Sequence, residues 1–243
     1  MEIEVIRHSL AHVMAAAVQK LYPSAKFAIG PAIENGFYYD FECEDHQFSA
    51  EDFAAIEKEM KKLIKSDGRF QHEVWSKDKA REFFAEQPYK LELIDGIEGD
   101  EVNIYHFRDF TDLCKGPHVE SSKQLPRNAF KLDKIAGAYW RGNSDNEMLQ
   151  RIYAVAFETE EDLEKFFKQR EEAERRDHRK IGKVMDLFHF EPEYAPGHPF
   201  FHPNGLYVFR SMVESLRAVL LDSGYIEIST PRVMNRVLWE RSG

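Results

Sequence analysis

His8 and His12 stand four residues apart, and so do Cys114 and His118. On a helix, residues at i and i+4 lie on one face about one turn apart, so the two imidazoles can converge on a point. The segment Cys114-Lys115-Gly116-Pro117-His118 holds a Gly-Pro pair. It therefore reads as a loop, which can still aim both side chains at a shared site. Three imidazoles and one thiol form a tetrahedral zinc set. They are equally the set that positions a water and moves its proton near neutral pH. Spacing alone does not separate the two chemistries. With ten histidines in the chain, one i, i+4 pair also arises by chance; the Cys-x-x-x-His element is what gives the set weight.

Other residues join these by chemistry. Asp109 and Asp112 precede Cys114 closely; they are either surface turn residues or groups that orient a histidine or a substrate amine. Lys90 follows Pro88-Tyr89 at an expected helix-to-strand junction, where a lysine is most often only solvated. Trp140-Arg141-Gly142-Asn143-Ser144 combines a stacking aromatic, a phosphate-capable guanidinium and a turn glycine. That composition suits RNA recognition, and equally a plain β-turn.

The elements that must position these groups follow from periodicity. Val5, Leu10, Val13, Met14, Ala17, Val18 and Leu21 recur at helical spacing, with Pro23 as a stop, so His8 and His12 sit on a helix over 5–22. Residues 26–42 read as a hairpin around Glu34-Asn35-Gly36. Ser49 is an N-cap candidate for a second helix that ends at Gly68. A strand over 70–75 and a helix over 77–86 come next, then strand character through 102–122 and from Met148 to Phe157. Helices mixed with hairpins predict an α+β fold with an antiparallel sheet and packed helices. Thr159-Glu160-Glu161-Asp162 opens a charged helix expected to run to about Met185, of the kind that bridges domains. Beyond a segment rich in Pro, Gly, His and Phe come a helix over 206–221 and a strand Tyr225-Ile226-Glu227-Ile228 before Ser229-Thr230-Pro231. Three regions are expected: 1–158, 159–187 and 188–243, the last an incomplete domain.

Composition narrows the function. The chain has 243 residues, 43% apolar and 31% charged, with a formal net charge of −10. Attachment to nucleic acid by bulk positive charge is excluded, although a local basic patch is not. Two cysteines rule out a disulfide scaffold and suit a reducing interior such as the cytoplasm. No run approaches the roughly 18 apolar residues that cross a bilayer, so no membrane partner is expected.

His8-Ser-Leu-Ala-His12, Gly30-Pro31 followed by Gly36-Phe-Tyr-Tyr-Asp40, Asp112-Leu-Cys114-Lys-Gly-Pro-His118, and Tyr139-Trp-Arg-Gly142 with Met148-Leu-Gln-Arg-Ile-Tyr153 together resemble the editing domain of bacterial-type threonyl-tRNA synthetases. Asp177-His-Arg-Lys-Ile-Gly182, Asp186-Leu-Phe-His-Phe190, Phe201-His-Pro203 and Gly224-Tyr225 to Pro231 resemble that family's linker helix and the opening of its class II catalytic domain, including the dimer-forming motif 1. Trp239-Glu-Arg-Ser-Gly243 fits the segment just beyond. The likeness runs in order through essentially the whole chain. Asn143 and Ala154 depart from it, standing where the family often has Asp and Gly.

The resemblance implies post-transfer editing: hydrolysis of serine mischarged onto tRNA(Thr), in a protein that attaches threonine to tRNA(Thr) with ATP. His8, His12 and His118 are the candidates for water positioning and proton handling, Cys114 for lining the pocket. The resemblance adds Lys90 at the water or ester and Asp112 at the amino group, with Tyr39, Trp140 and Arg141 also on the substrate side. The expectation is metal-free editing and no covalent cysteine nucleophile. Zinc on His8, His12, Cys114 and His118 is the alternative, because the related alanyl editing domain holds zinc with this pattern. ATP with magnesium, the synthetic zinc, the anticodon-binding domain and homodimerisation through the catalytic domain belong to the longer family proteins. Their ligands are expected beyond residue 243, so aminoacylation by this chain alone is not expected. A zinc-binding structural module and an RNA-binding module without hydrolysis remain the competing readings.

Overall fold

In a computed structural model, residues 2–231 and 235–242 are described. They form two compact units, Met1–Gln169 and Arg170–Gly243.

The first unit opens with α1 (Ile3–Leu21), whose Leu10, Val13, Met14, Ala17 and Val18 are fully buried. A helix apolar on most of its circumference belongs inside a core rather than on a surface. It packs on α2 (Phe53–Lys65) and touches both sheets of the unit. The larger sheet is antiparallel, in the order β1 (Lys26–Phe27), β3 (Gly36–Glu42), β8 (Met148–Ala156), β7 (Phe130–Tyr139), with β2 (Ala32–Ile33) also on β3. The expected hairpin turn is there: Ile33 pairs with Gly36 across Glu34-Asn35. Gly36 is needed for β3 to approach β8, since a Cβ at this position would run into the Ala154 carbonyl.

The smaller sheet is antiparallel, β4 (Phe70–Ser76), β5 (Glu101–Phe107), β6 (Phe110–Leu113). Its register sets Tyr105 opposite Asp112 and Ile104 opposite Leu113. The chain leaves β6 directly into the Cys114–His118 loop, as its Gly-Pro pair predicts. Antiparallel sheets with packed helices bear out the α+β expectation for this unit.

The helix expected over 77–86 is shorter, α3 (Lys77–Phe83), and a further helix follows, α4 (Pro88–Asp95). Pro88, read in the sequence as part of a helix-to-strand junction, is instead the first residue of α4. A proline fits there because its missing N–H has no helical acceptor to reach. Lys90 therefore lies in the first turn of a helix and not at a strand junction.

The charged segment is two helices rather than one: α5 (Glu160–Arg175) and α6 (His178–Val184). Asp177 interrupts it in extended backbone, and its side chain accepts from the Arg179 N–H as an N-cap. In the second unit β9 (Phe188–Phe190) and β10 (Pro199–Phe201) form a hairpin, followed by α7 (Pro203–Asp222) and α8 (Arg236–Ser242). The strand expected at Tyr225–Ile228 is not formed, and Ile226 is 87% exposed. A strand needs a neighbour for its backbone groups, and among the described residues none pairs with this segment. Gly243, the last residue of the family likeness, lies outside the described residues. No helix is long and apolar enough to cross a membrane among the described residues.

Candidate functional site

One face of α1 and the loop after β6 bring His8, His12, Cys114 and His118 together. One ligand atom from each of the four lies within 4.8 Å of the others. Cys114 Sγ is 3.2 Å from His8 Nε2 and 3.3 Å from His118 Nε2. The ring of His118 lies 4.3 Å from that of His8 and 4.2 Å from that of His12. The loop reaches this position because Val119 N–H donates to Ser9 Oγ and Gly116 N–H to Cys114 Sγ, at 3.0 and 3.3 Å. Phe70 stacks on His118 and Tyr105 meets it edge-on, fixing the ring plane.

The imidazoles are held neutral. His8, His12 and His118 are all pushed below the ordinary histidine range, in each case chiefly because burial penalises the charged form. Repulsion adds to this: a charge on His8 would oppose one on His12, as Lys90 does, and a charge on His12 or His8 would oppose one on His118. Burial pushes the Cys114 thiol up to about 12. A protonated thiol is a poor nucleophile.

Against this cluster lies a second, wholly buried one. Lys90 and Asp112 form an ion pair, and both are 2% exposed. Tyr39 lies between them: its hydroxyl donates to Asp112 Oδ2 at 2.7 Å and accepts from Lys90 Nζ at 3.0 Å. Tyr39 is fully buried and its phenol is held well above its usual range, chiefly by burial. Asp112 Oδ2 is also 3.6 Å from His12 Nε2, so His12 joins the two clusters. Asp112 is thus a buried partner of a lysine and a histidine, not a surface turn residue. Asp109, its neighbour in the sequence, lies in the β5–β6 turn.

Trp140 and Arg141 are placed differently. Trp140 is 6% exposed, packs on Tyr89, and its indole N–H donates to Glu92 at 2.6 Å. Its faces are not offered to solvent. Arg141 is exposed, pairs with Glu92 at 3.0 Å, and sits in the left-handed region at φ 53°. It lines a cavity of about 370 Å³ whose apolar wall includes Leu93, Val102 and Leu113 and which Cys114 and Lys115 also line. A second cavity of about 270 Å³ reaches His8 past Pro31 and Pro117. Cavities thus adjoin the cluster at Cys114 and at His8.

Sequence reasoning missed Ser9, whose hydroxyl meets both His118 and the Val119 backbone. Its only signal was its position between the two histidines. It also missed the coupling of Tyr39 to Lys90, for which sequence carries no local sign.

The four converging residues fit a zinc ion by donor type. The spacing of their ligand atoms fits too, and His12 Nδ1 is buried without a hydrogen-bond partner among the described residues.

Residues 102–153 match the family model described as the threonyl and alanyl tRNA synthetase second additional domain. The matched stretch contains Asp112, Cys114, His118, Trp140 and Arg141. The chain is 49% identical over 243 residues to a threonine–tRNA ligase from a Ruegeria species, and 51% identical over 244 residues to those of Cupriavidus necator and Ralstonia nicotianae. Each match takes in 99% of this chain and 37–38% of the relative, so the chain spans a little over a third of the length of these proteins. Half-identity sustained along the whole chain, with the second additional domain carrying half of the histidine–cysteine cluster, places this chain in the threonyl-tRNA synthetase family.

Proposed function

We propose that the first unit hydrolyses the ester of serine mischarged onto tRNA(Thr). The observation that carries this reading is the convergence of His8, His12, Cys114 and His118 beside the buried Lys90–Asp112 pair. Threonine and serine differ by one methyl, and a pocket discriminates one such group by only about 1–3 kcal/mol. A synthetic site that accepts threonine therefore also accepts some serine. A second site that admits the smaller amino acid and hydrolyses it corrects the error.

Ester hydrolysis needs a positioned water, an acceptor for its proton and stabilisation of the developing oxyanion. Neutral imidazoles of His8, His12 and His118 serve as acceptors and water ligands. Lys90 supplies positive charge for the oxyanion, and Asp112 supplies negative charge toward the substrate's ammonium. Tyr39 holds that pair in register rather than touching the substrate, since its hydroxyl is already shared by both. Cys114 and the adjoining cavity form the wall, and Arg141, which lines the same cavity, faces the nucleic acid. A zinc ion held by His8, His12, Cys114 and His118 would supply Lewis acidity and lower the pKa of a bound water; the proposed editing reaction needs no such ion.

The wider roles belong to the same reading. tRNA(Thr) is the partner, the setting is cytoplasmic, and the segment from 188 onward is the opening of a class II catalytic domain that dimerises. ATP with magnesium and the synthetic zinc serve threonine attachment elsewhere in the family protein.

The test is deacylation of seryl-tRNA(Thr) by this chain beside threonyl-tRNA(Thr), with and without a chelator. Selective, chelator-resistant release of serine is expected. Chelator-sensitive release would transfer the chemistry to zinc. Absence of hydrolysis by folded protein, together with unfolding on chelation, would leave a structural metal module in its place.

A further inference from the structure

Ser9 is fully buried on α1 between the two histidines, and its Oγ meets three groups. The Val5 carbonyl lies at 2.8 Å, the Val119 N–H at 3.0 Å and His118 Nδ1 at 3.2 Å. A hydroxyl has one proton and two lone pairs. The Val5 carbonyl only accepts, and it is the nearest partner, so it takes the hydroxyl proton. The Val119 amide only donates, so it occupies one lone pair. The position left for His118 is the second lone pair, and only a protonated Nδ1 can use it. All three contacts are then satisfied at once. The other assignment, hydroxyl to Nδ1, gives up the shortest of the three.

The proton on His118 is thereby placed on the nitrogen facing α1. Its Nε2 is left bare, and Nε2 is the atom 3.3 Å from Cys114 Sγ, inside the cluster. The ring is flanked in this orientation, with Phe70 parallel to it at 5.1 Å and Tyr105 edge-on at 4.5 Å. The same hydroxyl holds the loop itself through Val119, so one buried group sets both where His118 stands and which nitrogen it presents. In other histidine sites the tautomer is fixed by whatever the second nitrogen bonds, commonly a carboxylate or a carbonyl. Here a serine one residue from His8 has that place.

We propose that Ser9 is a positioning residue for the editing site: its buried hydroxyl fixes His118 as the Nδ1–H tautomer, so that Nε2 offers its lone pair to the reacting water. The catalytic consequence rests on the editing reading above; the tautomer assignment does not.

The experiment reads the two separately. Histidine-selective ¹⁵N NMR of the chelator-treated wild-type chain should show His118 with a protonated Nδ1 and a bare Nε2. The opposite pattern, or an even mixture of both, would overturn the proposal without any variant being made. In Ser9→Ala the bias should be lost, and seryl-tRNA(Thr) deacylation should fall about 10- to 100-fold in kcat with little change in KM, the usual range for removing a residue that orients a site histidine. Ser9→Thr, which keeps the hydroxyl, should restore the wild-type tautomer. A Ser9→Ala chain with an unchanged His118 tautomer would also overturn the proposal. If wild type shows the expected tautomer but no deacylation, it is the editing reading that fails.

Discussion

The two clusters beside α1 share His12 and little else. The histidine–cysteine group is made of neutral side chains, half-buried at His8, Cys114 and His118, with nitrogen and sulfur atoms crowded toward one point. The Lys90–Asp112–Tyr39 group is charged and closed to solvent, and its three members pair with one another. The difference separates two tasks. Atoms that face one another without completing their own bonding are arranged for an atom from outside. A buried ion pair with a phenol across it is arranged to stay where it is and to set the local field. The first group is thus the part that handles the water and its proton, and the second the part on which the fold depends and from which Lys90 and Asp112 set the charge at the ester and the ammonium.

That division predicts very different costs. Lys90→Met leaves the Asp112 carboxylate buried with its countercharge gone, and should destabilise the chain by about 3–5 kcal/mol in urea unfolding. Cys114→Ser keeps size and hydrogen bonding, and should cost about 1 kcal/mol or less in the same assay. Equal losses in the two variants would erase the distinction. The pair itself is sharpened by a double-mutant cycle. Lys90→Met/Asp112→Leu removes both charges and should regain about 1–3 kcal/mol relative to Lys90→Met alone, because the unpaired charge, not the missing contact, is the main penalty.

Acid titration probes the neutral cluster. His8, His12 and His118 bind protons less readily in the folded chain than in the unfolded one, since burial holds all three below their ordinary range. Below about pH 6.5 the unfolded state therefore carries more protons. Stability is fully present above that pH and is lost as pH falls, with a slope of up to about 1.4 kcal/mol per pH unit for each imidazole. The groups facing them include Asp112, Lys90 and Cys114; Asp112 opposes the trend for His8 and His118, and a hydrogen bond with the Pro117 backbone opposes it further for His8. Urea midpoints between pH 7.5 and 5 should decline in metal-free protein, and replacing His118 with Gln should flatten the decline. A flat wild-type profile would mean that the cluster accepts protons in place, contrary to its burial.

How far the sequence disclosed this site depends on the range of the interactions. The spacing of Val5, Leu10, Val13 and Val18 placed α1, and with it the shared face of His8 and His12, because helical periodicity is local. Gly116-Pro117 placed the loop that returns Cys114 and His118. The Lys90–Asp112 pair was not readable: it depends on α4 beginning at Pro88 and on a β5–β6 register that sets Asp112 inward. Nothing within a few residues of Lys90 or Asp112 reports the other. Trp140 misled for the same reason. In a turn with Arg141 and Gly142 it looks like a stacking platform, but Tyr89 from α4 covers it and Glu92 takes its N–H. The strand read at Tyr225–Ile228 had the right residue types, yet alternation guarantees no partner.

Arg141 gives the smallest expected effect and the finest test of the comparison, because it belongs to neither cluster and still shares a cavity with Cys114. Its pair with Glu92 is half-exposed on both sides, and exposed pairs contribute about 0–1 kcal/mol. Arg141→Ala should therefore change stability by less than about 1 kcal/mol. Arg141→Gly should be no worse, since glycine takes the positive φ at this position with little steric cost, which offsets the lost ion pair. If the guanidinium meets the nucleic acid, both variants should raise KM for seryl-tRNA(Thr) about 3- to 10-fold, in line with loss of a phosphate contact of roughly 1 kcal/mol, and leave kcat within about twofold. A fall in kcat at constant KM would instead join Arg141 to the reacting groups, and the boundary between wall and machinery would have to move to include it.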